Sequence, residues 1–310
     1  MTARLQKIAA HMRVKYSWLC LLGLALFVFP TTTCKHKDSI VVASKNFTEQ
    51  VILGELLAEH IESQAGLAVD RRFNLGGTFV CHQGIVAGQI DLYPEYTGTA
   101  FTAILKHAPI SDPKEVYRRV AEEYRERFGI EWTEPLGFNN TFAIVIRGED
   151  ARRWKIRTTS QAAQYTPQWR AGFGYEFMER ADGFHGLAKT YSLRFAGAPR
   201  VMDLGLIYRA LKEGQVDLVA GNSTDGLISS LDLVVLEDDR HYFPPYEAAP
   251  LVRLDVLKRH PELRDVLKKL GGLISEQDMR RLNYQVDGEH RDVKQVVREF
   301  LQAKKPDSRQ

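Results

Sequence analysis

The sequence predicts an α/β protein of two lobes, each a parallel-rich sheet covered by helices, with two chain crossings between them. Three observations carry that expectation. From Ser39 onward, β-rich runs alternate with runs of helical periodicity, the pattern of strand–helix–strand units. The stretch GQIDLYPEYTG at Gly88–Gly98 is echoed by GQVDLVAGNSTDG at Gly214–Gly226. Each copy follows an amphipathic helix, so the halves read as similarly built lobes. Two segments, Leu136–Arg147 and Asp238–Arg253, are suited to carry the chain out of one lobe and back.

In chain order, Arg4, Lys7, Arg13 and Lys15 precede the apolar run Trp18–Phe29, followed by Pro30, three threonines and Cys34. A basic start and about a dozen apolar residues fit a secretory signal over 1–34 and are short for a membrane span. Cys34 is the candidate for lipidation after cleavage; ordinary cleavage nearby and an uncleaved anchor are the alternatives. All three place the body outside the cytoplasm. SIVVAS reads as the first strand, and the next run sets Ile52, Leu56, Leu57, His60 and Ile61 at helical spacing. LAVDRRFN is the second strand, LGG a turn into a short helix, and QIDLY the third strand. DLYPEYTGT (Asp91–Thr99) then falls at a strand end, where aromatic faces serve a ligand or fill a seam between lobes. LGFNNTFAIVIR reads as a long strand entering the second lobe. The expected division is 39–140 with 246–306 for lobe 1, and 141–245 for lobe 2. The tail is helical, with Ser275 and Asp278 spaced as a capping box. A cleft between lobes joined by two crossings is a natural ligand site, with the crossings as hinge.

The formal net charge of +3 is small and 44% of the 310 residues are hydrophobic. Acids and bases interleave, as in YRRVAEEYRERF, which reads as a solvated helix face and not as a basic stripe for nucleic acid. Cys81 is the single cysteine of the body; it makes no disulfide framework and reads as a packed small hydrophobe. No zinc-protease, nucleophile-elbow or dinucleotide motif occurs, and His60, His82, His185, His241 and His290 lack metal-ligand spacing. The expectation is therefore no enzyme, no cofactor and no metal. NLGGT lacks the ending of a phosphate loop, so its glycines serve a positive φ or a close backbone approach.

SKNFTEQ (Ser44–Gln50) offers Asn46 as a helix cap with Glu49 reaching back. Lys45 beside that helix start makes a carboxylate site, the plainer alternative being a solvated surface lysine. Aromatic residues gather at strand ends and crossings: Tyr93, Tyr96, Phe138, Phe142, Tyr175, Phe177, Tyr242, Phe243 and Tyr246. Converging there, ring faces would box a cation. Asp91 and Glu95 read as polar framing. Aligning Asp91 with Asp217 sets Tyr96 opposite Asn222.

With SKNFTEQ, LGGT, YPEYTGT, GFNNTFA, STDG, LEDDRHYFPPY and LNYQVDGEH in this order, the chain resembles the extracytoplasmic substrate-binding proteins of quaternary-amine ABC importers. The resemblance runs from about Ser39 to about Leu301. It implies a two-lobed, type II periplasmic binding protein that closes on glycine betaine, choline or a related osmoprotectant. It implies Tyr96, Phe142 and Tyr246 around the cation, with Asn140 beside Phe142, and Lys45, Thr99 and Arg180 at the carboxylate. Asn222 stands where a cage tyrosine is expected, and Phe142 lacks the hydroxyl that a relative's tyrosine can carry. The implied partners are a membrane permease and a separate ATPase subunit, for a monomeric protein in the periplasm or outside the membrane. A ligand-sensing receptor module of the same fold, uncoupled from transport, is the alternative.

Overall fold

The computed structural model describes residues 39–304; the signal segment and Cys34 lie outside the described residues. Among the described residues no helix is long and apolar enough to cross a membrane.

Among the described residues the strands are β1 (Ile40–Ala43), β2 (Val69–Arg72), β3 (Leu92–Tyr96), β4 (Ile130–Trp132), β5 (Phe142–Arg147), β6 (Ala171–Phe173), β7 (Arg200–Val201), β8 (Leu218–Asn222), β9 (Leu233–Leu236) and β10 (Ala248–Arg253). They form two five-stranded sheets, ordered β2-β1-β3-β10-β4 and β7-β6-β8-β5-β9. The pairing repeats strand for strand. β1 runs parallel to β2 and β3, and β6 parallel to β7 and β8. β10 is antiparallel to β3 and β4, as β5 is to β8 and β9.

The helices used below are α1 (Thr48–Ala65), α2 (Thr78–Val86), α3 (Pro113–Phe128), α4 (Tyr175–Glu179), α5 (Ile207–Lys212), α6 (Glu276–Asp287) and α7 (Val293–Ala303). Successive strand residues point to opposite sheet faces, and the central strands of each sheet are buried on both. Leu92 packs with α1, α6 and α7, while Tyr93 packs with α2 and α3. In the second sheet, Ile144 and Ile146 join the cluster containing Phe177, and Ala143 and Val145 the cluster containing α5. The expected capping box is present: Ser275 caps α6 while Asp278 bonds back to it. Cys81 is fully buried, and burial pushes its thiol up to about 12.

The internal echo has a mechanical meaning. Gly88 (φ 74°) and Gly214 (φ 69°) both take the left-handed conformation that ends the preceding helix, with N–H bonds to Ile85 and Leu211. Asp91 then accepts the N–H of Val41 at 2.9 Å, and Asp217 accepts the N–H of Arg170, also at 2.9 Å. Each aspartate thus ties the start of its sheet's third strand to the neighbouring parallel strand. The repeat is a helix stop, a turn and a side-chain tether, used once per lobe.

The third strand departs from expectation. It spans Leu92–Tyr96, not QIDLY, because Asp91 spends its side chain on that tether. Pro94, which would suggest an ending, lies opposite Pro250 in the β3–β10 pairing. On the other side, β3 pairs with β1 only at Leu92, so the missing N–H interrupts no ladder. The two crossings lie side by side. Asn139 bridges Glu247, the Asn140 N–H bonds the Tyr246 carbonyl at 3.0 Å, and the Tyr246 N–H bonds Asn139 Oδ1 at 2.6 Å.

Gly214 tests the backbone part of the echo alone, since a Cβ there would meet nothing within 4 Å. Gly214→Ala should lower stability by about 1 kcal/mol through the left-handed backbone, measured by urea unfolding. No change would remove conformational demand as the reason for that glycine.

Candidate ligand-binding site

A cavity of about 640 Å³ opens where the two sheets face each other, and all eight residues expected at the site line it. Lys45 follows β1, and Tyr96 and Thr99 lie at the end of β3. Asn140 and Tyr246 come from the two crossings. Phe142 and Asn222 are paired across β5 and β8, and Arg180 ends α4.

The aromatic wall is larger than the three expected rings. Tyr96 stacks on Phe47 with centroids 6.4 Å apart. Phe142 meets Phe177 edge-on at 4.8 Å and Tyr246 at 5.7 Å. The Arg180 guanidinium stands 4.9 Å from the centre of the Phe142 ring and 5.8 Å from that of Tyr246. Phe47 lies inside SKNFTEQ, where its spacing alone gives it no role. Val201, Met202 and Leu204, which also line the cavity, carry no sequence signal, since edge apolar residues look alike everywhere.

Lys45 is not a solvated surface lysine: it is buried and its ammonium pairs with the buried Glu95. Glu95, read as framing, also accepts the Tyr93 hydroxyl at 3.1 Å and the Tyr96 N–H at 2.8 Å. Arg180 makes a two-pronged pair with Asp182, at 2.8 and 2.5 Å, and donates to the Thr99 hydroxyl at 3.1 Å. Asp182 further accepts Thr102 at 2.7 Å and Tyr246 at 2.5 Å. Burial pushes the Asp182 carboxyl up, but Arg180 and these hydroxyls hold it below its ordinary value. Asp182 stands two residues after Arg180 in ERADG, but its other partners, Thr102 and Tyr246, are distant in sequence and leave no local signal.

The expected cap at Asn46 is absent. Helix α1 starts after Phe47, with no side-chain cap bond, and Glu49 turns inward. Its Oε1 accepts the Tyr96 hydroxyl at 2.6 Å and the Asn140 amide at 2.7 Å. Its Oε2 accepts the Thr224 hydroxyl at 2.5 Å and the Asn283 amide at 3.0 Å. Those donors outcompete a surface capping role. Burial pushes this carboxyl above its ordinary value, and the four hydrogen bonds offset only part of that rise. A second cross-sheet contact is made by Glu176 on α4. Its carboxylate accepts the Thr78 N–H and, at 3.1 Å, the Thr78 hydroxyl, capping α2 from the opposite lobe. A Cβ at Gly77 would overlap that carboxylate, so LGGT serves close approach.

A neighbouring cavity of about 880 Å³ shares Asn222, Phe47 and Leu204 with the first and is also lined by Asp225 and Tyr208. Asp225 accepts the Asn222 N–H at 2.9 Å and the Tyr208 hydroxyl.

Two topologically matched α/β lobes with a charged, aromatic-walled cavity between them define a type II periplasmic binding protein. The chain belongs to the family of substrate-binding domains of ABC-type glycine betaine transport systems, whose model matches residues 38–303. It is 38% identical over 268 residues to the carnitine transport binding protein OpuCC of Listeria monocytogenes, covering 86% of this chain and 87% of that one. It is 35% identical to the ergothioneine transport permease/ergothioneine binding protein EgtU of Helicobacter pylori, over 96% of this chain and 53% of that longer one. A crystal structure of a glycine betaine/carnitine/choline ABC transporter protein superposes with a TM-score of 0.71 at 33% identity, covering 86% of this chain and 98% of that one.

Burial pushes Asp225 up to about 7, above its ordinary 3.8, despite its hydrogen bonds from Tyr208 and Asn222. The folded state therefore holds this proton more tightly than the unfolded chain. The stability it contributes is full below 3.8 and is lost as pH rises through about 7. Melting temperatures from about pH 4 to about pH 8 should fall less steeply in Asp225→Asn than in the wild type. Parallel profiles would contradict this.

Proposed function

We propose that this solute-binding protein takes a quaternary ammonium compound, glycine betaine first and choline or another betaine next, and delivers it to a membrane permease served by a separate ATPase subunit. The observation that carries the reading is the convergence of Tyr96, Phe142 and Tyr246 with two buried cationic side chains, Lys45 and Arg180, around one cavity. The rings hold the trimethylammonium head, whose charge is attracted to aromatic faces. Lys45, Arg180 and Thr99 hold the carboxylate through charge-assisted hydrogen bonds, and Asn140 supports the wall beside Phe142. Asn222 replaces one ring face. That loss is worth on the order of 1–2 kcal/mol, or roughly tenfold in affinity, and gives a longer betaine a polar neighbour instead.

The lobes of this reading are 39–140 with 246–306 and 141–245, closing about Asn140–Phe142 and Tyr242–Tyr246. The two-sheet membership of the strands supports that division. The mature protein acts outside the cytoplasm as a monomer and without catalysis, and Cys34 is its candidate lipid anchor. The relatives' transport names favour this over a sensing module uncoupled from import.

Calorimetric titration with glycine betaine, choline, proline betaine, carnitine and ergothioneine tests the reading. Heat from at least one is expected; none, in verified folded protein, overturns it. Tyr96→Ala should abolish binding of the ligand that gives heat. Asn222→Tyr should strengthen glycine betaine binding by roughly tenfold. Unchanged affinity in both variants would refute the cage.

A further inference from the structure

The residue at the cap position of helix α1 is unusual. Helix starts favour Ser, Thr, Asp or Asn, whose side chains bond the free N–H groups of the first turn. Asn46 and Thr48 flank the position, yet Phe47 occupies it, in extended backbone (φ −147°, ψ 157°) and with no side-chain cap bond. A ring there does nothing for the helix. It does line the ligand cavity, and like Asn222 it also lines the neighbouring one. Phe47 is half-buried and packs against the core of the first lobe. Its ring plane lies 21° from that of Tyr96, with the centroids 6.4 Å apart, the offset geometry in which two rings extend one wall.

Each of the three expected rings already has one of the protein's own cations beside it. Lys45 Nζ stands 5.1 Å from the centre of Tyr96, and the Arg180 guanidinium stands 4.9 and 5.8 Å from those of Phe142 and Tyr246. A like charge alongside offsets part of the attraction between a ring face and a ligand cation. Among the described residues no lysine or arginine stands over the Phe47 ring.

We propose that Phe47 is a fourth ring of the ligand cage, meeting the quaternary ammonium head at the boundary between the two cavities, where Asn222 offers a carboxamide. The proposal rests on the quaternary-amine reading above and deepens it. The helix forgoes a cap at this position, and the site gains a ring that no internal cation opposes.

Calorimetric titration with the tightest-binding of the five quaternary amines above reads the cage, and thermal melting reads the fold. Phe47→Leu keeps apolar bulk but has no ring face. It should bind that cation roughly five- to tenfold more weakly than the wild type, with a melting temperature close to the wild type's. The uncharged comparator carries carbon in place of the quaternary nitrogen: the anion of tert-butylacetic acid for glycine betaine, tert-butylethanol for choline. It should bind Phe47→Leu as it binds the wild type. Phe47→Tyr, which keeps the ring, should keep the affinity. Phe47→Asn and Phe47→Ala both remove the ring, and only asparagine can cap α1. Phe47→Asn should therefore melt about 2 °C above Phe47→Ala and bind no more tightly. Equal losses for cation and comparator in Phe47→Leu, or affinities that follow the melting temperature across the four variants, make the ring mere packing and overturn the proposal. A Phe47→Leu that binds the cation as tightly as the wild type overturns it too. In each of these cases the quaternary-amine reading stands. A wild type that binds none of the five compounds overturns both.

Discussion

Arg180 and Asp182 hold each other in a two-pronged ion pair shut away from water, and much of the polar geometry of the cleft follows from it. A buried pair of this kind contributes little net stability, because desolvation offsets attraction. Removing either partner, however, strands a charge at a cost of about 3–5 kcal/mol. The pair must therefore be satisfied on every side. Asp182 orients the hydroxyls of Thr102 and Tyr246, and Arg180 reaches Thr99. Three residues of the first sheet's side and its return crossing are thereby placed against a loop of the second. The same guanidinium lies near the Phe142 and Tyr246 rings, so one ion pair sets both the polar and the aromatic walls.

The two lobes are copies in construction and not in chemistry. The same strand order, helix stop and aspartate tether occur in each. At the cavity end of the matched strands, however, β3 finishes on Tyr96 and β8 on Asn222. The scaffold repeats while the strand tips differ: Tyr96 donates to Glu49, and Asn222 donates its N–H to Asp225. Glu49 and Glu176 add two further cross-lobe ties, one to Thr224 and one to Thr78. Carboxylates thus meet donors across the cleft, with the rings packed between.

What the sequence makes legible is what is local or periodic. The alternation of strand and helix, the capping box at Ser275 and the repeat at Asp91 and Asp217 all depend on near neighbours. The eight candidate site residues come from motif resemblance, and all of them line one cavity. What stays hidden is choice of partner over long separations. Glu49 has the spacing of a capping residue, and nothing near it in the chain reveals that Asn140, Thr224 and Asn283 will supply its donors. Lys45 has the profile of a surface lysine until Glu95, fifty positions on, is folded beneath it. Pro94 suggests a strand end because nothing near it in the chain shows that β3 pairs with β1 only at Leu92.

The most direct test of the account is a crystal structure of the protein with the tightest-binding quaternary amine. The account predicts the trimethylammonium group among the rings of Tyr96, Phe142 and Tyr246, with the carboxylate of a betaine on Lys45, Thr99 and Arg180. A head group seated instead in the neighbouring cavity beside Asp225, with the three rings uncontacted, would contradict it.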